Sequence, residues 1–454
     1  MFSLPFIPVL TALLLVGSPF LKAENAAPKS ASNSFVETYL VCDPLYYKNQ
    51  GFNKTNQPQL IQEENMIDAW GIALRPPGAG GHIWINNAMN GSSVEYIGDV
   101  NGIPLHQDGQ KIVRMDLPQW TDHGFAVVTG LAYNAAADIK GQPVEFPVSG
   151  EACDRSTNPP SLISGGTKGS AAFAFVTEDG CVNAWRQNTK IAMSGSPIMI
   201  NYSKTSPHPG HANCVFSGCA MTTNGYTSEA FKKERGNHLF VTDFRNNSIR
   251  VFDNMWKDVT SLYHFQALKN LTIKDPDSGQ PMTMHPFNIV ALRGHLFVTY
   301  SRFAGNSDEG MEEEDGIGPG FGHVAEFSED GKLIRDYRDK GLLNAPWGVT
   351  IAPPKFGKFG GALLVANLGD GTILAFNRNT GKFIDQLRDT KGEPISIDRI
   401  WGLTFGNGVS LGDANSLYFT AGPNNEFNGL FGKLTVAATA PKPLATSQSS
   451  PAAK

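Results

Sequence analysis

Charge is scarce in this chain. Asp, Glu, Lys and Arg make up 17% of its 454 residues, the net charge is -5, and neither Lys nor Arg forms a run. A nucleic-acid backbone is held by clustered cations, so nucleic acid is excluded as a partner. Helical periodicity is missing too, since no long stretch repeats its apolar residues every three or four positions. The common catalytic signatures are absent: there is no G-x-S-x-G, no Walker loop, no H-E-x-x-H, and no dinucleotide fingerprint between a strand and a helix. The glycine runs GKFGG and GIGPGFG sit among strand signals and read as turns.

What the chain does have is turns and short apolar runs, with 48 Gly and 29 Pro. Residues 344–377, NAPWGVTIAPPKFGKFGGALLVANLGDGTILAFN, hold three strand-length runs separated by Gly, Pro, Asn and Asp, the signature of a meander. The same order of signals recurs. Inner strands are expected near Trp70, Gly130, Gly218, Phe287, Trp347 and Trp401, giving about six units at a mean period of roughly 65 residues. One meander cannot bury both faces, but a ring of them can. The expected fold is all-β, a six-bladed β-propeller with long loop insertions. Trp70, Trp347 and Trp401 recur with the repeat, which points to packing of the inner strands before a ligand-facing role.

Residues 1–23 read as a signal peptide, with an apolar stretch over 4–16 and Ala23 at the cleavage point, although no Lys or Arg precedes it. Residues 24–34 read as a disordered linker, 35–436 as the propeller and 437–454 as a disordered tail. The FVETYLV segment, 35–41, is expected to supply the outer strand of the last blade and close the ring. No membrane span is expected after removal of the signal. The acidic loop around Asp308 to Asp315 lacks calcium-loop spacing and stands as a solvated loop, a weak calcium site or a lid. Sequons occur at Asn53, Asn90, Asn201, Asn246 and Asn270.

The blocks TEDGCVNAW, NAPWGVTIAPPKFGKFGGALLVANLGDGTILAFN, IDRIWGLTFGNG and LYFTAGPNNEFNGLFG resemble a family of uncharacterised exported proteins, mostly bacterial, with an NHL-like β-propeller domain. The resemblance covers about 34–434 and implies the fold and export, secreted or periplasmic, without an activity. At the level of fold the chain is also similar to streptogramin lyase, lactonase and regucalcin-type propellers. It departs from the family where Cys42, Cys181 and Cys219 replace residues of other types.

In an exported chain, Cys42, Cys153, Cys181, Cys214 and Cys219 are candidates for up to two disulfides, with pairing left open by the spacing. The segment HPGHANCVFSGC also places His208, His211, Cys214 and Cys219 at intervals that suit zinc or copper. A disulfide beside two loop histidines is the plainer reading.

Repeat alignment brings Asn87, Glu178, Asp243, Tyr300, Asn367 and, less regularly, Asn424 to one face of the ring, called here the upper face. Such oxygen-bearing side chains suit calcium or a polar small molecule, and Asn and Asp also serve simply as turn residues. Glu178 and Asp243 are the best placed to bind a cation or act as a base. His285 lies just before the fourth inner strand. No motif fixes a cofactor, and calcium and zinc are the ions these residues would take. Two functions follow. The first is a binding or scaffold module recognising a small molecule, glycan or protein on its upper face. The alternative is a metal-dependent hydrolase or lyase of the lactonase kind, with a divalent cation at the channel mouth.

Overall fold

The computed structural model describes residues 33–76, 80–109, 111–119, 124–138, 143–154, 157, 161–187, 191–203, 214–222, 237–265, 268, 271–274, 279–303 and 316–438. The signal peptide, the acidic loop at 308–315, His208, His211, Asn270 and nearly all of the linker and tail expected from the sequence lie outside them. Among the described residues the one α-helix is Pro44–Asn49, capped by the Asp43 carboxylate, which accepts from the amides of Leu45 and Tyr46. Among the described residues no helix is long and apolar enough to cross a membrane.

Six sheets carry the repeat, antiparallel except where Ile61–Gln62 pairs parallel with Phe35–Cys42. The first runs Ala69–Ala73, Ile83–Asn87, Ser92–Tyr96 and Ile112–Arg114, and the second Val128–Tyr133, Phe173–Thr177, Cys181–Trp185 and Ile198–Asn201. The third has Phe216–Met221, Leu239–Asp243 and Ser248–Phe252. In the fourth, Pro281–Leu292 leads to His295–Arg302, Gly322–Ser328 and Leu333–Tyr337, with Thr272–Lys274 on its other side. The fifth runs Pro346–Ile351, Leu363–Asn367, Ile373–Phe376 and Phe383–Gln386. The sixth joins Ile400–Phe405, Leu417–Ala421 and Leu430–Val436 to the N-terminal strand Phe35–Cys42 and to Ile61–Gln62.

Second strands such as Ile83–Asn87, Leu239–Asp243 and Leu363–Asn367 are buried at every position, because a sheet covers each face. That is why they read as unbroken apolar runs rather than as alternating strands. The core is divided between sheets: Val41, Ile83, Tyr96, Tyr418 and Phe431 pack the sixth against the first, while Phe297, Tyr337, Val365 and Phe376 pack the fourth against the fifth.

The first strands of successive sheets touch one another, and the sixth touches the first. Each of the six pairs its second strand across a β-bulge at its upper end, for example between Ala69 and Ile72, Pro346 and Val349, and Ile400 and Leu403. At the bulges the backbones come very close. A methyl group on Gly348 would lie 2.2 Å from the Trp401 carbonyl oxygen, and one on Gly71 2.4 Å from that of Thr129. Side chains bridge the same gaps: Asn86 donates to the Thr129 carbonyl at 2.9 Å, Thr129 to Phe216 at 2.7 Å, Thr242 to Phe287 at 3.2 Å and Asn288 to Trp347 at 2.8 Å. Thr420 donates to the Trp70 carbonyl, which brings the series back to the first sheet. This arrangement of meanders around a common axis is a β-propeller architecture.

Three features differ from the sequence reading. The insertion after Tyr133, expected as loop, forms one small sheet from Pro147–Gly150 with Thr167–Ser170, and supplies Ala152–Asp154 and Ser161–Leu162 to a second, which Ile191–Met193 joins from beyond the third strand Cys181–Trp185. Fourth strands such as Ile112–Arg114 and Phe383–Gln386 add to the three-strand meander. The expected disulfides among Cys42, Cys153, Cys181, Cys214 and Cys219 are not formed, since no two of the five are bonded. The physical reason is placement. Cys42 packs with Phe35 and Leu60, whereas Cys214 and Cys219 occupy a different apolar cluster with Trp185 and Phe216.

Candidate functional site

Three of the inner strands are entered through a non-glycine residue with left-handed backbone two positions before a tryptophan: Asp68 (φ 51°), Ala345 (φ 46°) and Arg399 (φ 51°). The bulge that follows turns Trp70, Trp347 and Trp401 into one buried cluster with Phe244 and Phe287. Trp70 and Trp401 stack at 3.9 Å, and Trp347 meets Trp401 edge-on at 5.9 Å. Offset-stacked and edge-on pairs suit the ring quadrupoles. The indole of Trp347 donates to the Ser217 carbonyl at 3.0 Å, and that of Trp401 to Asp68 Oδ1 at 3.0 Å. Two buried polar atoms here, Trp70 Nε1 and Asn87 Oδ1, have no hydrogen-bond partner among the described residues.

A polar group borders this aromatic cluster. Asp68 is only 2% exposed, and a methyl group on Gly422 would touch both its Oδ1 at 2.4 Å and Glu426 Cγ at 3.0 Å, so the two acidic side chains flank one glycine. Arg399 Nη1 lies 3.7 Å from Glu426 Oε1. Burial, then the charge of Glu426, holds the Asp68 carboxyl well above the usual carboxylate range; Glu178 pushes the same way, while the Trp401 hydrogen bond and Arg399 oppose. The turn that carries Glu426 is strained, with Asn424, Asn425 and Glu426 consecutively left-handed at φ 61°, 51° and 67°. A left-handed conformation costs a residue such as Glu426 roughly 1–3 kcal/mol, and Asn less, and such conformations concentrate at functional sites.

The residues expected from the repeat divide into separate environments. Asn87 is buried and donates to the Ile85 carbonyl at 3.2 Å, beside Asp68, whose carbonyl takes the Ala88 amide at 3.0 Å. Glu178 is half-buried and acts electrostatically on Asp68, so these two expected positions join the Asp68 group. Asp243 is fully buried and faces Arg250 at 2.8 Å and Asn246 at 2.9 Å. Arg250 in turn donates to Cys214 Sγ at 3.4 Å and lies 5.1 Å from the Tyr202 ring centre. Asn367 anchors a turn, accepting from the Asn344 amide at 3.1 Å and donating to the Leu342 carbonyl at 2.8 Å. Tyr300 is buried and meets the His323 ring edge-on. Asn424 is exposed, and its amide donates to Asp398 at 2.8 Å. His285 Nδ1 donates to the Phe244 carbonyl at 2.6 Å while the ring stacks on Phe303 at 4.3 Å. Burial lowers its pKa, which leaves a neutral ring with its lone pair on Nε2.

Among the described residues no three His, Cys, Asp or Glu side chains are grouped so as to hold a metal ion. Asp68, Arg399 and Glu426 were not among the expected site residues. The signal for Asp68 and Arg399 was the charged residue two positions before W-G, in DAWG and RIWG, whereas Glu426 had none.

These observations define a β-propeller whose inner strands surround an aromatic cluster bordered by a buried carboxyl group. No family model matches the chain. It is similar to uncharacterised proteins of Acanthamoeba polyphaga mimivirus, at 27% identity over 84% of this chain and 78% of the relative, and at 31% over 44% and 49%. Among solved structures it is similar to a streptogramin B lyase, with a TM-score of 0.39, 11% identity, and 82% and 95% of the two chains covered. A GH93 α-L-arabinofuranosidase of Fusarium graminearum gives a TM-score of 0.42 and 10% identity, covering 89% and 97%. At such scores neither likeness bears on activity.

Proposed function

We propose that this chain is an exported six-bladed β-propeller, closed by its N-terminal strand, that works as a binding or scaffold module through its upper face and central channel. In this reading 1–23 is a signal peptide, 24–34 a linker, 35–436 the propeller and 437–454 a tail. One observation carries the binding role. Of the twelve non-glycine residues with left-handed backbone among those described, five (Asp68, Arg399, Asn424, Asn425 and Glu426) gather at one place beside the aromatic cluster. Strain held at a single rim, next to a buried donor and acceptor without partners among the described residues, suits a site preorganised for a polar ligand. The metal-dependent alternative has no comparable observation in its favour.

The test is a glycan array together with a thermal-shift screen of sugars, amines and dicarboxylates, run on the wild type and on Arg399→Ala and Glu426→Ala. A ligand bound by the wild type and lost in both variants supports this site. Binding that survives both substitutions moves the site elsewhere, and no binding at all removes the small-molecule and glycan readings. Calorimetry with calcium and zinc, on the wild type and on Glu178→Gln with Asp243→Asn, examines the metal alternative. An ion held by the wild type and lost in the double variant would revive it.

A further inference from the structure

The turn at 422–429 does more than border the aromatic cluster. It ties the end of the chain to its beginning. The Asp43 carboxylate takes the Asn428 side-chain amide at 3.0 Å and the Gly429 backbone amide at 2.9 Å, while the Asp68 amide donates to the Asn428 carbonyl at 3.1 Å. Gly422 is held by the Arg399 carbonyl at 3.0 Å, and within the turn Glu426 donates back to Gly422 at 2.9 Å. Three consecutive left-handed residues persist here because those contacts outweigh the strain.

We propose that Asp68 and the turn at 422–429 form a proton-operated latch at the junction of the sixth and first sheets, closed while Asp68 carries a proton and loosened when that proton leaves. The latch needs no ligand and stands apart from the binding role. Asp68 is packed where a charge is hard to accommodate. Glu426 lies across Gly422 from it, Glu178 reaches it from the second sheet, and Asp43 and Asp398 accept from Asn428 and Asn424 of the same turn. Arg399 is the cation at this junction, and it pairs with Glu426. Trp401 supplies one hydrogen bond to Oδ1, which favours the charged form but is outweighed by burial and by Glu426. Ionising Asp68 therefore sets it against Glu426, and opening the strained turn relieves both the repulsion and the desolvation.

The sign follows from linkage. Asp68 holds its proton more tightly closed than open, so its contribution to closure is complete below the ordinary carboxyl range and is lost as pH rises through its raised closed-state value. Opening should become easier by about tenfold per pH unit across that window and level off above it.

Hydrogen exchange on the full chain from pH 4.5 to 8.5, corrected for intrinsic rates, reads this directly. Protection over 422–429 should fall with rising pH while the buried strand Leu363–Asn367 does not change. Asp68→Asn should stay protected throughout, because Asn tolerates left-handed backbone and can still accept from the Trp401 indole. Glu426→Gln should shrink the loss and bring the plateau to lower pH, and it decides the matter if Asp68→Asn fails to fold. Protection independent of pH in the wild type, or an unchanged pH profile in both variants, overturns the latch.

Discussion

Trp347 shows how far a single residue can be read from sequence. Its recurrence with Trp70 and Trp401 marked it as packing, and it lies 5% exposed in the cluster those three share. Trp347→Ala should therefore cost about 3–5 kcal/mol in denaturant unfolding, the range for a buried aromatic truncation. A loss below about 1 kcal/mol would make it a surface platform instead. The cysteines were harder to read. Cys219 is buried and unbonded, whereas export suggested disulfides, and spacing contains no information on which side chains meet. Titration of denatured, unreduced protein should count five thiols. In the native state Cys153, which is half-buried, should alkylate first, because burial pushes the Cys42 thiol up to about 12 and raises those of Cys181, Cys214 and Cys219 as well. Fewer than five thiols after denaturation would restore the disulfide reading.

Among the elements, inner and second strands were legible because burial on both faces makes them dense in Val, Ile, Leu and Phe. Outer strands were not. Leu333–Tyr337 and Phe383–Gln386 are short, partly exposed and mixed in composition, so their sequences resemble the loops beside them. The Asp68 group was missed for a related reason: aligning the ends of second strands finds Asn87 and Asp243, whereas Asp68 and Arg399 precede first strands, and Glu426 sits in a turn without a counterpart. The bulges are also invisible in the sequence except through the glycine after each tryptophan. Gly348→Ala tests that contact. A methyl group 2.2 Å from the Trp401 carbonyl oxygen forces the fifth and sixth sheets apart, at a cost of roughly 1–3 kcal/mol in thermal or chemical unfolding. Wild-type stability in this variant would mean that the inner strands do not approach so closely in solution.

At the scale of the molecule, each first strand touches the next and the sixth touches the first, so every sheet has two neighbours to cover it. The N-terminal strand bears on this directly. Phe35–Cys42 pairs antiparallel with Leu430–Val436, from Phe35 opposite Val436 to Cys42 opposite Leu430. It also reaches the neighbouring sheet, because the Phe35 ring lies 4.8 Å from Phe356 and 6.0 Å from Phe359. Deleting residues 33–42 would thus expose an unpaired strand edge and two phenylalanines together, and would remove the Asp43-held contacts from their support. An open edge next to bared aromatic surface promotes association as well as unfolding. The shortened chain should melt at least about 10 °C lower, since a loss of several kcal/mol moves the midpoint of a domain of this size by a few degrees per kcal/mol. Light scattering should also show concentration-dependent self-association. A truncated protein that melts with the full chain and stays monodisperse would mean that the six sheets hold together without their N-terminal strand.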